Sequence, residues 1–246
     1  MHPSKAAALA LGALALSAAA NPARAEDRVA LARRSKSAAI AALFQAATVA
    51  YPPGEVYLRA FKSEGELELW AGPAGRPLTL LKTYPICKAS GVLGPKRQQG
   101  DLQVPEGFYR IVDFNPNSTY HLSLGLDYPN ASDRILGVAG KLGQDIYIHG
   151  ECFTIGCIPL QNDSIEEVFL ISQDARDHRQ KEIPVHIFPR RMDDAGMAFL
   201  AAQPDAGSAL LEFWGGLRPG YLLFETSKRP PKTSVDPRSG RYRFER

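Results

Sequence analysis

Alternating apolar and polar positions predict a chain made mainly of short β-strands. Residues 55–70 alternate on both sides of a polar turn at 63–65, which is the pattern of a β-hairpin. Further stretches predict a second strand pair at 78–87 and single strands at 107–112, 119–126, 146–149 and 184–188. The segment 90–107 is rich in glycine and proline and predicts a long ordered loop, of a kind that often binds ligands.

Helical periodicity is confined to the two ends of the chain and one internal segment. Residues 27–50 are rich in alanine with apolar residues at helix-like intervals, and the Tyr-Pro-Pro-Gly sequence at 51–54 ends that helix. Residues 163–172 predict the internal helix, with Asp163 and Glu166 spaced as a capping box.

The C-terminal part predicts a second helical region. Residues 193–214 show an amphipathic pattern that is interrupted at 203–205 and ended by Arg-Pro-Gly at 218–220, and a last strand is expected at 241–244. Many short strands with helices at both ends predict a β-rich α+β fold. We expect a sandwich or barrel-like core with one internal helix and helical N- and C-terminal extensions.

The first 25 residues are typical of a secretory signal peptide. A positively charged start precedes an apolar run at 6–20, and Ala23-Arg24-Ala25 has the small residues of a cleavage site. The run is shorter than the ~20 residues of a spanning helix, so we expect cleavage after Ala25, a periplasmic protein and no membrane span thereafter. The remaining chain divides into an N-terminal helix (26–50), a central domain (51–190) and a C-terminal extension (191–246).

The overall charge gives little support to nucleic-acid binding. The 246 residues carry a formal net charge of +3, and no Lys/Arg-rich run is interleaved with aromatic residues. We therefore expect no nucleic-acid partner.

The three cysteines give an odd count, which leaves one thiol over in an oxidising compartment. One assignment is a Cys87–Cys152 disulfide with Cys157 free, and another keeps Cys87 as a small buried hydrophobic residue. A disulfide between Cys152 and Cys157 is a third. Zinc normally takes four ligands from spaced Cys and His pairs. Only two cysteines and one histidine cluster here, so no metal site is expected.

The segment 145–160 carries the candidate chemistry. His149 ends a short apolar strand, and Gly150 and Gly156 allow two sharp turns that can bring Cys157 back beside it. A thiol becomes a strong nucleophile when a neighbouring base takes its proton. Cys157 is therefore the candidate nucleophile and His149 its base, and we expect the sulfur to be thiolate-rich near neutral pH.

The turn before the candidate nucleophile is suited to binding an oxyanion. Backbone N–H groups around Gly156 and Cys157 can form an anion nest, and the Thr154 hydroxyl can fix the turn. The other histidines of the expected mature chain lie in predicted strands or in a polar run and are less suited as a base: His121, His178 and His186.

A motif around the candidate nucleophile occurs together with several upstream blocks. Ile148-His149-Gly150 is followed by Thr154-x-Gly156-Cys157-Ile158. This order is similar to the His-Gly…Ser/Thr-x-Gly-Cys motif of the YkuD-type L,D-transpeptidase family, and most closely resembles its YafK-like branch. Further blocks that fit lie at 84–87, 94–96, 100–101, 105–109 and 128–130. The resemblance covers roughly residues 55–188, so the central domain at 51–190 would be the catalytic domain.

The resemblance implies an exported enzyme with an L,D-transpeptidase-type β-sandwich core that transfers acyl groups of peptidoglycan stem peptides without a cofactor. Cys157 would attack the carbonyl of the third residue, a diaminopimelate-type residue, and form a thioester. His149 would take the thiol proton and return it to the leaving amine, and the Gly150 carbonyl would orient His149. The backbone around Gly156 and Cys157 would hold the oxyanion, and an acceptor amine would complete a cross-link.

Two other functions stay open on the sequence. If water takes the place of the amine, the protein is a hydrolytic L,D-peptidase or amidase that releases a peptide or an anchored lipoprotein from peptidoglycan. If the thiol is inert, it is a wall-binding module. The chain also departs from the family in one place: many members carry arginine two residues after the cysteine, where this chain has Pro159. The basic residues that could meet substrate carboxylates instead are Lys96, Arg97 and Arg134.

Overall fold

A computed structural model describes residues 27–245, which form one large sheet with helices packed against it. The predicted signal peptide at 1–25 lies outside the described residues. The helices are α1 (Arg28–Ala46), α2 (Ala131–Leu136), α3 (Asn162–Asp177), α4 (Asp194–Ala201) and α5 (Ser208–Ser227). The strands are β1 (Glu55–Phe61), β2 (Glu66–Gly72), β3 (Thr79–Pro85), β4 (Gly107–Asn115), β5 (Ser123–Leu126), β6 (Tyr147–His149), β7 (Ile158–Pro159), β8 (Ile183–Phe188), β9 (Lys232–Val235) and β10 (Tyr242–Glu245).

The large sheet has eight strands in the order β3-β2-β1-β8-β4-β5-β6-β7. Most neighbouring strands are antiparallel, but β1 pairs with β8, and β6 with β7, in parallel. β9 and β10 form a separate hairpin in the C-terminal extension. The predicted β-rich α+β fold is confirmed, and β6 and β7 place the segment with the candidate chemistry at one edge of its sheet.

The two edge strands of the large sheet approach each other. Cys87, just after β3, donates its backbone N–H to the Pro159 carbonyl of β7 at 3.1 Å. A disulfide joins Cys87 to Cys152 in the loop between β6 and β7. The first and last strands of the order therefore meet at a seam, which we define by these two links, and the sheet curls towards a barrel.

Both faces of the central strand β1 are buried. Val56, Leu58 and Ala60 belong to a core that includes side chains of α1 and α3. Tyr57 and Phe61 point to the other face and contact the aromatic side chains of α5, with ring centroids 4.8 Å apart for Tyr57 and Phe224 and 6.3 Å apart for Phe61 and Tyr221. The N-terminal and C-terminal helices thus cover opposite faces of the same sheet.

The strand predictions are right in some places and wrong in others. The hairpin at 55–70 is confirmed as β1 and β2. The strand pair predicted at 78–87 is wrong, because this segment forms the single strand β3, which pairs with β2. The strand predicted at 119–126 begins only at Ser123, because His121 has a positive φ of 67°. His121 is therefore a turn residue, and its Nε2 lies 2.8 Å from Glu166 Oε1.

Two helix details also differ from the prediction. The capping box at the start of α3 is wrong: the N-cap is Gln161, and Asp163 lies in the first turn of the helix, where it pairs with Lys36 of α1. The central domain holds a second helix, α2, beside the predicted one. Asn130 and Asp133 form a capping box at its start, but six residues are too few to show helical periodicity.

The C-terminal helix does not end at residues 218–220. α5 includes Pro219 and continues to Ser227. Tyr221 and Phe224 in this last part are buried against the sheet, so tertiary packing outweighs the local effect of the proline.

Within residues 27–245, no helix is both long and apolar enough to cross a membrane.

A buried ion network joins β1 and β2 to the C-terminal extension. Arg59 is 2% exposed, and its guanidinium bonds Glu68 of β2 at 2.9 Å and Glu225 of α5 at 2.6 Å. Arg191 pairs with Glu68 at 2.7 Å, and Trp70 donates its indole N–H to Glu68 at 2.8 Å. Burial acts to raise the pKa of Glu68, but its cationic and indole partners outweigh it and hold that pKa below 4.5.

We expect the Arg59→Met variant to lose about 3 kcal/mol of unfolding free energy, the lower end for breaking a buried pair, because Glu68 loses its buried guanidinium partner and keeps only the more exposed Arg191. The matched control is Arg110→Met, whose partner Glu182 lies at 2.9 Å in a pair with side chains 49% and 67% exposed. An exposed pair contributes about 0–1 kcal/mol. Urea denaturation of both variants measures the difference, and equal losses would contradict a stabilising role for the buried network.

Candidate active site

The pairing of β6 with β7 brings the two predicted reactive residues close together, since His149 ends β6 and Cys157 directly precedes β7. His149 lies opposite Pro159 in the parallel register. Continuing that register back by two residues places Cys157 opposite Tyr147, and the Tyr147 N–H donates to the Cys157 sulfur at 3.4 Å. Side chains two residues apart share one face of a sheet. Cys157 and His149 are therefore diagonal neighbours at the sheet edge.

His149 is a buried, neutral imidazole, with 2% of its surface exposed. Its Nδ1 lies 2.6 Å from the Gly150 carbonyl oxygen. Because a carbonyl can only accept, Nδ1 carries the hydrogen and Nε2 keeps a lone pair. Burial lowers the pKa of His149 below 6.5, against the opposing effects of the Gly150 carbonyl and Glu151. Tyr120 stacks on the ring, with centroids 4.7 Å apart.

Cys157 is the one free cysteine among the described residues. Its thiol donates to the Asp145 carbonyl at 3.6 Å, and within residues 27–245 its hydrogen bonds are to backbone atoms and not to His149. Burial raises the pKa of the thiol above 9.0, although the Tyr147 N–H and the Lys96 charge act to lower it. A raised thiol pKa and a lowered imidazole pKa both favour the neutral form near pH 7, contrary to the expectation of a thiolate-rich sulfur.

Two glycines permit the turns on either side of the loop. A Cβ on Gly150 would lie 2.6 Å from Asn162 Oδ1 and 3.0 Å from the Tyr120 carbonyl oxygen. Gly156 has a φ of 143°, and a Cβ there would lie 3.0 Å from the Gln103 carbonyl oxygen. Neither position leaves room for a larger residue without local movement.

Thr154 closes the turn before Cys157. Its hydroxyl donates to the Cys157 carbonyl at 2.8 Å and accepts the Gly156 N–H at 3.1 Å. The Gly156 N–H is thus engaged by the Thr154 hydroxyl, and its part in holding an oxyanion stays a prediction. The backbone N–H of Cys157 is the other amide of the predicted nest.

The disulfide at the seam fixes the loop that carries this turn. Cys87 and Cys152 are bonded across a sequence separation of 65. Of the three assignments considered from the sequence, the structure has the one that leaves Cys157 unpaired, and it excludes a Cys152–Cys157 bond.

A narrow pocket of about 40 Å³ adjoins Cys157 at the seam. Its walls include the apolar side chains of Ile86 and Val104 and the polar side chains of Lys62 and Lys88. Nothing in the sequence connects these four residues to Cys157, because they are brought there by the curl of the sheet and by the loop at 90–106, which we call the pocket loop.

Lys96 of the pocket loop is the predicted basic residue whose charge reaches Cys157. It is 5% exposed, and its ammonium group pairs with Asp101 at 2.6 Å. Its positive charge is therefore partly neutralised within the loop itself.

The other two predicted basic residues are engaged elsewhere. Arg97 lies 3.7 Å from Asp133 and over the Phe213 ring, 4.8 Å from its centroid. Arg134 lines a separate cavity of about 750 Å³ beside the C-terminal hairpin. The structure brings neither side chain to the thiol. Pro159, which stands where many members of the family have arginine, lies in β7 opposite His149.

His186 is a structural histidine. Its Nδ1 lies 2.6 Å from the Tyr57 hydroxyl, and burial with the nearby Arg59 charge lowers its pKa to about 3. Within the described part of the chain, no group of three or more His, Cys, Asp or Glu side chains is arranged to hold a metal ion.

Comparisons with known proteins match the same region. The family model of YkuD, the L,D-transpeptidase catalytic domain, matches residues 69–187. The Escherichia coli K12 protein named "Putative L,D-transpeptidase YafK" is 40% identical over 189 residues, which are 76% of this chain and 72% of that protein.

Similar solved structures are more distant. The helical cell shape determining protein Pgp2 from Campylobacter jejuni is 19% identical, with 74% of this chain and 73% of that chain covered and a TM-score of 0.45. L,D-transpeptidase 1 from Mycobacterium tuberculosis is 14% identical, with 54% and 61% covered and a TM-score of 0.30.

The sequence motif, the family match and the identity to YafK over most of both chains agree on one family. The chain belongs to the YkuD-type L,D-transpeptidases.

Proposed function

We propose that the protein is a cysteine acyltransferase of the periplasm that acts on peptidoglycan stem peptides through a thioester on Cys157. The observation that carries the proposal is the arrangement of β6 and β7: a single unbonded thiol at the start of one strand, diagonal to a buried neutral imidazole on the other. Membership of the L,D-transpeptidase family supports peptidoglycan as the substrate class.

The first step is the attack of the Cys157 sulfur on the carbonyl carbon of the third stem residue. The thiol is protonated at rest, so its proton moves to His149 Nε2 as the carbon–sulfur bond forms. The Gly150 carbonyl holds the Nδ1 hydrogen at 2.6 Å, which keeps Nε2 as the accepting nitrogen. The resting thiol donates to the Asp145 carbonyl, so the transfer requires the S–H to turn from that carbonyl towards Nε2.

The tetrahedral intermediate places a negative charge on the former carbonyl oxygen. The Cys157 N–H is the donor that we assign to it, and the Thr154 hydroxyl keeps the turn in shape. Collapse breaks the bond to the leaving amine, which takes its proton from His149. The thioester then passes its acyl group to an acceptor amine, which forms a cross-link, or to water, which releases a shortened peptide or a peptidoglycan-bound lipoprotein.

Export fits the rest of the molecule. The sequence at 1–25 predicts a signal peptide, and the Cys87–Cys152 disulfide is of a type that persists in oxidising compartments such as the periplasm.

We expect incubation with purified tetrapeptide muropeptides to give a Cys157 acyl adduct in the intact-mass spectrum and cross-linked dimers among the products. Shortened monomers without dimers would identify the hydrolytic L,D-peptidase alternative. Cys157→Ala removes both adduct and turnover, because the other two cysteines are bonded to each other. A wild-type protein that forms no adduct would contradict the acyltransferase and leave the wall-binding module.

We expect His149→Ala to lower kcat/KM by about 10²–10⁴-fold, the usual contribution of a general acid–base. The matched control is His178→Ala, which removes an exposed histidine after the end of α3 and should leave kcat/KM unchanged. Equal effects of the two variants would exclude His149 as the base.

The pH profile of kcat/KM should be bell-shaped. Activity falls on the acid side with a midpoint below pH 6.5, because burial lowers the pKa of His149 and the protonated ring cannot accept the thiol proton. It falls on the alkaline side above pH 9.0, because an ionised thiol leaves His149 without a proton for the leaving amine. Steady-state rates between pH 5 and 10 measure both limbs, and an acid midpoint above 6.5 would contradict the assignment of His149.

A further inference from the structure

The C-terminal extension reaches the pocket loop through one buried indole group. Trp214 of α5 is 1% exposed, and its Nε1 donates to Glu106 Oε2 at 2.8 Å. Glu106 is fully buried and lies at the end of the pocket loop, directly before β4. The extension thus bonds a buried residue of the central domain that pairs with Lys62, one of the residues lining the pocket beside Cys157.

Glu106 and its partner Lys62 hold the pocket loop at two points, Gly94 and Val104. Glu106 Oε1 accepts the Gly94 N–H at 2.7 Å and pairs with the Lys62 ammonium group at 2.9 Å. Lys62 also donates to the Gly94 carbonyl at 2.7 Å and to the Val104 carbonyl at 3.0 Å, so its three donors are all used. A buried ion pair with every hydrogen bond made holds one geometry strongly.

The loop held in this way lies against the thiol. Val104 and Lys62 line the pocket next to Cys157. The neighbouring Gln103 carbonyl oxygen lies 3.0 Å from where a Cβ of Gly156 would be, and the Lys96 charge acts on the Cys157 thiol. Movement of the loop would change the packing of the turn, the burial of the sulfur and the charge beside it together.

Side chains of α5 make a second contact with the same loop. The Arg97 guanidinium lies over the Phe213 ring. Leu210 packs against Gly94, with its Cδ1 3.8 Å from where a Cβ of that glycine would be. Leu93 packs in the same apolar cluster as Trp214. The loop is therefore supported by the extension along its first half and at its last residue.

We propose that Trp214 and Glu106 are positioning residues for the acyl-transfer site, and that the C-terminal extension is part of the catalytic unit because it holds the pocket loop against Cys157. This inference rests on the proposed role of Cys157. Neither residue reaches the reacting atoms; each acts through the loop.

The chain supplies a matched control, since it has two tryptophans and each donates its indole N–H to a buried glutamate at 2.8 Å. Trp214 bonds Glu106 beside the pocket loop, whereas Trp70 bonds Glu68 in the ion network of β1 and β2. Trp214→Phe and Trp70→Phe therefore remove the same kind of bond and a similar amount of side chain. Only the first should disturb the thiol.

The experiment measures the alkylation rate of Cys157 by iodoacetamide against pH, together with kcat/KM on muropeptides and the thermal midpoint. We expect Trp214→Phe to alkylate several times faster than wild type at pH 7, because a looser loop exposes the sulfur and relieves the burial that disfavours its thiolate. Its kcat/KM should fall by about tenfold or more, because misplacement of a site by an ångström costs up to about 10²-fold. Trp70→Phe should lose comparable stability with neither change.

A purely structural role would lower the thermal midpoint of both variants and leave the alkylation profile of both unchanged, and that result would overturn the proposal. If Trp214→Phe does not fold, Phe213→Leu tests the second contact of α5 with the loop by the same readouts and is judged by the same outcomes. Alkylation needs no peptide substrate. A protein inactive on muropeptides would therefore refute the proposed function, while the alkylation rates would still show whether the C-terminal extension controls the environment of Cys157.

Discussion

The meeting of the two sheet edges is the constraint on which the site depends. The thiol lies at the start of β7, the last strand of the sheet, and its pocket is lined by residues that follow β3, the first. Without the seam, Cys157 would lie on an exposed edge with water on one side. With it, the sulfur is enclosed on several sides, and the same enclosure sets its protonation state.

Burial gives the proposed chemistry its resting state. Burial lowers the pKa of the His149 imidazole and raises that of the Cys157 thiol, so both groups favour the neutral form before the reaction begins. A neutral pair differs from the thiolate–imidazolium pair that is often assumed for cysteine enzymes, because its nucleophile forms only as the proton is transferred. Such a sulfur is protected from oxidants and from stray electrophiles until a substrate is in place.

The sequence predicts the part of the site that is local in the chain. The motif from His149 to Cys157 lies in one excursion between two paired strands, and its glycines mark positions where the backbone has no room for a Cβ. Alternation predicts strands well where one face is polar, as in the hairpin of β1 and β2. It fails for the segment 78–87, where the prediction is a strand pair and the structure has one strand along β2.

What the sequence could not predict depends on distant contacts. Pro219 is a local signal to end a helix, but the burial of Tyr221 and Phe224 carries α5 past it. The pKa of the thiol depends on how deeply it is enclosed, and that is decided by the pocket loop and the curl of the sheet. Lys62 and Glu106 look like ordinary surface charges in the sequence, yet both are buried and bonded to each other.

The disulfide also has a consequence for how the chain reaches its oxidised form. In an unfolded chain the short loop between Cys152 and Cys157 closes more readily than the one of 65 residues that leads back to Cys87, since closure entropy grows with loop length. The short bond would consume the one thiol that the proposed chemistry needs. The order of events therefore matters. Either β3 already lies beside the loop between β6 and β7 when oxidation occurs, or an isomerase must exchange the Cys152–Cys157 bond for the native one.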